Sequence, residues 1–73
     1  MINSAEELSY NKKFAKKLFG MKLAEAEHLV EREGLVSRVG ELDGVSYNLG
    51  REVNVRRINL VVRKGQVIDA SVG

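Results

Sequence analysis

"RRINLVVRKGQVIDASV", Arg56 to Val72, decides the fold. Two runs that alternate apolar and polar residues flank the pair Lys64–Gly65. A period of two marks a half-buried strand, and a two-residue connection ending in glycine marks a tight hairpin. The first run sends Ile58, Leu60 and Val62 to one face and Arg57, Asn59 and Arg63 to the other. In the second run Ile68, Ala70 and Val72 are expected inward. A hairpin with one apolar face is marginal alone and needs a cover.

The chain before it offers that cover. In "MKLAEAEHLVEREG", Met21 to Gly34, the residues Leu23, Ala26, Leu29 and Val30 fall on one helical stripe. Glu25, Glu27, Glu31 and Arg32 face water, and Gly34 is placed to cap the C-terminus. Upstream, "SAEE" sets Ser4 and Glu7 at capping-box spacing. Leu8, Phe14, Ala15 and Leu18 follow at helical intervals, predicting a helix from about Ala5 to Leu18 that Gly20 ends. Lys12, Lys13, Lys16 and Lys17 lie late in it, where positive charge complements the helix dipole. After Gly34, "LVSRV" reads as a short strand with Leu35, Ser37 and Val39 on one face.

Composition limits the chemistry. The 73 residues include no cysteine and a single histidine, His28, so neither a disulfide framework nor a Cys/His zinc site is expected, and no cofactor. His28 flanks the helical stripe without a second candidate ligand and reads as a surface residue. Net charge is +2, and the excess falls after Gly34. That bias is mild beside the basic stripe of a dedicated nucleic-acid binder. The aromatics that would interleave with Arg51, Arg56, Arg57, Arg63 and Lys64 are missing, Tyr47 apart. No apolar run approaches the roughly 20 residues that span a bilayer. The first residues lack the apolar core of a signal peptide, which fits a cytoplasmic chain or one exported after processing. No nucleophile–base pair, paired carboxylates or phosphate-binding glycine loop is legible, so an enzyme is not expected.

Between the strands lies a long segment, residues 40–56. It holds Gly40, Gly44 and Gly50, the turn pair Asp43–Gly44 and a weak alternation at Val45, Tyr47 and Leu49. A short hairpin fits inside it. Otherwise it is longer than most connections in a compact domain, and such segments are commonly retained for function.

The order helix, strand, long loop, strand and closing strand resembles the potato inhibitor I family of serine protease inhibitors and its bacterial relatives. "LFGMKLAEAEHLV" is similar to the family's Leu-x-Gly followed by an Ala/Glu-rich helix. "GREVNVRRINLVV" resembles its binding loop running into an arginine-bearing strand, and "GQVIDASVG" its closing strand with a terminal glycine. The matches cover residues 18–73, with residues 1–17 left as an N-terminal helix or flexible arm. The implied fold is α+β: a helix on a small mixed sheet, with a long exposed loop.

The resemblance also implies a function and a site. The chain would bind a trypsin-like serine protease as a substrate does, through Leu49, Gly50, Arg51, Glu52, Val53 and Asn54. The scissile bond would join Arg51 to Glu52, with Arg51 in the specificity pocket. Arg57 would brace the loop, with Asn59 and Gly73 in support. Two positions depart from the family: Gly50 stands where threonine is common, and Asn59 where a second bracing arginine would fall. The alternative is a noninhibitory protein-binding module of the same fold. A monomer is expected, with no metal, nucleic acid or membrane as partner.

Overall fold

The computed structural model of the chain describes residues 4–47, 50 and 52–73. In chain order it has helices α1 (Ser4–Lys16) and α2 (Leu23–Arg32), then strands β1 (Val36–Leu42), β2 (Val45–Ser46), β3 (Arg57–Arg63) and β4 (Gln66–Val72). The strands form one mixed sheet in the order β2-β1-β3-β4. β3 has a parallel neighbour in β1 and an antiparallel one in β4. The class is α+β, and both helices pack on the sheet, α1 against β4 and α2 against β1. None of the described helices is long and apolar enough to cross a membrane.

Both expected turns form, for a common reason. Lys64 and Gly65 have φ of 51° and 77°, and Asp43 and Gly44 have 49° and 84°. Positive φ at both central residues is the type I′ geometry, whose twist matches that of the flanking strands. The Asp43–Gly44 turn closes a short β1–β2 hairpin paired at Glu41–Ser46 and Leu42–Val45. The two turns lie side by side. Asp43 donates its N–H to the Val62 carbonyl at 2.8 Å, and its Oδ1 accepts the Lys64 N–H at 2.7 Å. That carboxylate helps hold Lys64 in a left-handed conformation uncommon for a side-chain-bearing residue.

β1 runs past Gly40, where the sequence read as a break. The parallel register steps between Val39 and Glu41, so Gly40 sits at an irregularity within a longer strand. A similar step corrects the inward residues of β4. Val61 faces Asp69 but Val62 faces Val67, so the extra residue, Ile68, is bulged out of register. Val67 is 0% exposed and enters the core, while Ile68 is 43% exposed. Alternation alone puts Ile68 inward with Ala70 and Val72, and the bulge replaces it with Val67.

α2 ends in a Schellman motif. Gly34, with φ 79°, donates to the Glu31 carbonyl at 3.0 Å, and Leu35 donates to Val30 at 3.1 Å. Val30 and Leu35 are both buried, which supplies the motif's apolar contact. The helix begins on the β3–β4 turn, where Leu23 N–H donates to the Gly65 carbonyl at 2.9 Å.

α1 buries one face. Asn11, Phe14 and Ala15 line it, and the latter two join Leu18, just past the helix, with Ala26, Val30, Ile58, Leu60, Val62 and Val67 in a single core. The first turn carries Glu6 and Glu7 and the last Lys13 and Lys16, as the helix dipole favours. The expected cap at Ser4 concerns a side chain outside the described set. The Tyr10 hydroxyl donates to Glu33 Oε1, tying α1 to the end of α2. That hydrogen bond, then the carboxylate's charge and slight desolvation, raise the Tyr10 pKa above its ordinary 10.0.

Two outcomes follow from these contacts. Val67→Ala removes two buried methyl groups and should cost about 2 kcal/mol, roughly 10 °C in a domain this small. Ile68→Ala should stay within about 0.5 kcal/mol, as exposed positions do. Thermal unfolding of both variants checks the bulge, and equal losses would remove it. The Tyr10 contact should stabilise the fold below pH 10 and be lost as pH rises through the raised folded pKa. In a Tyr47→Phe background, Glu33→Ala should therefore lower the midpoint of Tyr10 ionisation, read by phenolate absorbance.

Candidate functional site

The parallel pairing of β1 and β3 obliges the chain to travel back along the sheet between them. β2 takes up the first part of that return, and residues 47–56 make the rest. Leu49 and Arg51 lie outside the described residues. Gly50 and Glu52 are exposed, and Val53 is 78% exposed. Gly50 has φ 74°, so the backbone is left-handed there instead of extended. An added Cβ at Gly50 meets nothing within 4 Å, so what favours glycine there is backbone conformation and not space.

Asn54 ends the segment. Its Oδ1 accepts the Arg56 N–H at 2.9 Å and its carbonyl accepts the Arg57 N–H at 3.0 Å. This is the Asx-type turn that asparagine favours, and it delivers the chain into β3. Val36 N–H donates to the Arg56 carbonyl at 2.9 Å, fixing the junction to β1.

From the sheet, Arg57 reaches under the segment. Its Nη2 donates to the Glu52 carbonyl at 3.1 Å and its Nε to the Gly73 main-chain oxygen at 2.9 Å. The same Gly73 oxygen accepts Asn59 Nδ2 at 3.1 Å. Arg38, the β1 residue paired with Asn59, donates Nε to Asn59 Oδ1 at 2.9 Å and directs Nη2 to the Gly73 oxygen at 3.5 Å, a long contact. Arg57, Asn59 and Arg38 thus converge on Gly73 from the sheet face opposite the core. Gly73 N–H completes the link by donating to the Arg57 carbonyl at 3.0 Å. A Cβ at Gly73 would stand 3.0 Å from Asn59 Nδ2, so a side chain there would press on this cluster.

α1 grips the segment from the other side. Asn11 is buried and donates Nδ2 to the Val55 carbonyl at 2.8 Å. Glu7 forms an ion pair with Arg56 through Arg56 Nε. The capping-box glutamate is therefore engaged with the loop's exit.

Of the residues marked by the sequence, Glu52, Arg57, Asn59 and Gly73 form one connected network, and Asn54 shapes the turn. Val53 is held out to solvent. Sequence reading missed Arg38 and Asn11. A polar residue on the stripe 11, 14, 15 and 18 was the available signal for Asn11. Arg38 had none, because its role depends on the register of a parallel pair. Arg63 and Lys64 sit at the far end of β3 from Arg56 and Arg57, so these cations are divided between two ends of the strand. Among the described residues no cluster of three or more His, Asp or Glu is placed to hold a metal.

No protein-family model matches the chain, and no curated protein or solved structure does either. The resemblance to the potato inhibitor I family therefore rests on the quoted residues alone.

The network has a measurable signature. Arg57→Ala should cost about 1–2 kcal/mol, since charge-assisted bonds are worth more than neutral ones but these are part-exposed. Arg38→Ala should cost about 0.5–1 kcal/mol, since it removes the bond to Asn59 Oδ1 while the Gly73 oxygen keeps Arg57 and Asn59. The double variant should exceed the sum by at least about 0.5 kcal/mol, as sites sharing one acceptor couple. Urea denaturation of the four proteins closes the cycle, and strict additivity would place the guanidinium groups in separate networks.

Proposed function

We propose that the chain binds a trypsin-like serine protease as a substrate does, through the exposed loop 49–54, with the scissile bond between Arg51 and Glu52. The observation that carries this reading is the bond from Arg57 Nη2 to the Glu52 carbonyl, made by a guanidinium already anchored on Gly73. A loop held at the residue after the bond has part of its ordering cost met before the protease arrives. After cleavage the same tether keeps the new amino end beside the acyl-enzyme, which favours resynthesis over release. Arg51 in this reading fills an acidic pocket, and Glu52, Val53 and Asn54 supply the leaving side.

Gly50 sets the reading's main demand. A substrate-like loop is extended before the specificity residue, so Gly50 must leave its φ of 74° on binding. Glycine makes that change without steric strain, and the cost is in conformational entropy. The left-handed Gly50 also favours the second reading, a noninhibitory module whose loop meets another kind of protein.

Near-stoichiometric incubation with a trypsin-like protease, following residual activity and chain mass together, separates the two. The expected outcome is reduced activity with slow cleavage confined to Arg51–Glu52. Arg51→Leu should weaken binding about a hundredfold or more, because the pocket's acid is left unpaired. Arg57→Ala should be cut about tenfold faster, the equivalent of one charge-assisted bond. Prompt cleavage of the parent chain without inhibition would leave the noninhibitory module. Inhibition unchanged by Arg51→Leu would remove the loop from the interface.

A further inference from the structure

β4 is the outer strand on the side away from β2. The chain between the helices covers its first residues: Gly20 N–H donates to the Val67 carbonyl at 2.7 Å, Val67 N–H to Met21 at 2.8 Å, and Lys22 bridges Gln66. Beyond Val67 no strand lies on the outer side among the described residues. Backbone direction alternates along an antiparallel pair. Gly73 N–H bonds inward to Arg57, and Ser71 and Asp69 share its parity opposite Asn59 and Val61. Ala70 and Val72 therefore present their N–H and C=O groups outward. The Ala70 N–H is met at 2.9 Å by Oδ1 of Asp69. A side-chain oxygen stands there in the place an added strand's carbonyl would take.

Beside this edge runs an open groove of about 360 Å³, walled by Lys12, Ala15, Lys16 and Phe19 and floored by residues 69–72. Phe19 is 48% exposed at one end of it. The helix wall is basic. Lys12, Lys13, Lys16 and Lys17 follow one another with no acidic residue between Glu7 and Glu25.

We propose that this groove takes an extended acidic peptide, which adds to the sheet as a strand alongside residues 69–72. The peptide backbone pairs with the outward groups of Ala70 and Val72, displacing the Asp69 carboxylate from Ala70. Alternate side chains meet the two sides of the site, as strand addition requires. The acidic ones face α1 and pair with Lys12 and Lys16, next to Phe19, and the apolar ones turn to the opposite face of the sheet. Two copies of the chain joined edge to edge through β4 would bring these lysines together, so charge favours an acidic partner over self-pairing. The site is separate from the loop and does not rest on the protease reading.

The probe is a fluorescent peptide of alternating valine and glutamate, about eight residues long to match a strand. Its valine–lysine counterpart is the control. The valine–glutamate peptide should bind and shift the amide resonances of Ala70, Val72 and Phe19, and the control should not bind. Lys12→Glu with Lys16→Glu should weaken binding at least about tenfold, through reversal of two ion pairs. Asp69→Ala should tighten it several-fold, by freeing the Ala70 N–H and removing the one opposing charge. All three residues are exposed, so the fold is preserved in each variant. Equal binding of the two peptides, shifts confined to α1, or indifference to Asp69→Ala would overturn the proposal. So would self-association of the chain without peptide, which would assign the edge to a second copy.

Discussion

The parallel pairing of β1 with β3 is the constraint on which the rest depends. Antiparallel neighbours can be joined in two residues, and this chain does so at Asp43–Gly44 and Lys64–Gly65. A parallel neighbour cannot be reached that way, because the chain must first return the length of the strand. The segment before β3 is thus a consequence of topology. Its described residues between β2 and β3 belong to no strand, so side chains take a large part in holding it. Asn54, Asn11, Glu7 and Arg57 do so, the first three near its exit and the last at Glu52.

These anchors divide the segment mechanically. Residues 54–57 are fixed by a turn, a buried amide and an ion pair, and they belong to the rigid body of the domain. Glu52 is held at its carbonyl by a guanidinium that also ties down Gly73. Val53 between them is bare. A chain with no cysteine has only such contacts for stiffness, each worth on the order of 1 kcal/mol. Their value comes from connection: Arg57, Asn59 and Arg38 share one acceptor, and that acceptor is the residue following β4. One guanidinium thus links the end of β4 to Glu52.

What the sequence made legible was whatever local chemistry determines. The two glycine turns, the α2 stripe with its Gly34 cap, and the inward set Ile58, Leu60 and Val62 each follow from spacing within a few residues. The class, α+β with a mixed sheet, was what the family resemblance of that order implied. What stayed hidden depends on partners remote in sequence. Val67 and Ile68 are adjacent and both apolar, and only the pairing with Val61 and Val62 chose between them. Asn11 interrupts an apolar face, and its role depends on Val55 beside it. Arg38 acquires its role from a register that no single strand encodes. For the candidate site, the supporting residues were easier to identify than the loop's own conformation, because glycine at position 50 permits several backbones and the sequence does not choose.

α1 touches both proposed sites, and this bears on whether they communicate. Its inner face gives Asn11 to the loop's exit, and its outer side gives Lys12 and Lys16 to the β4 groove. A ligand in the groove could alter the loop only by favouring a second position of the helix. Phe14, Ala15 and Leu18 are buried among residues of α2, β3 and β4, so a shift of the helix would open the core. Close packing makes such a move costly. The path through α1 is contiguous, but contiguity without a two-state element carries no coupling. On this argument the proposed groove and the proposed loop site act independently, and a change at one should leave the other as it was.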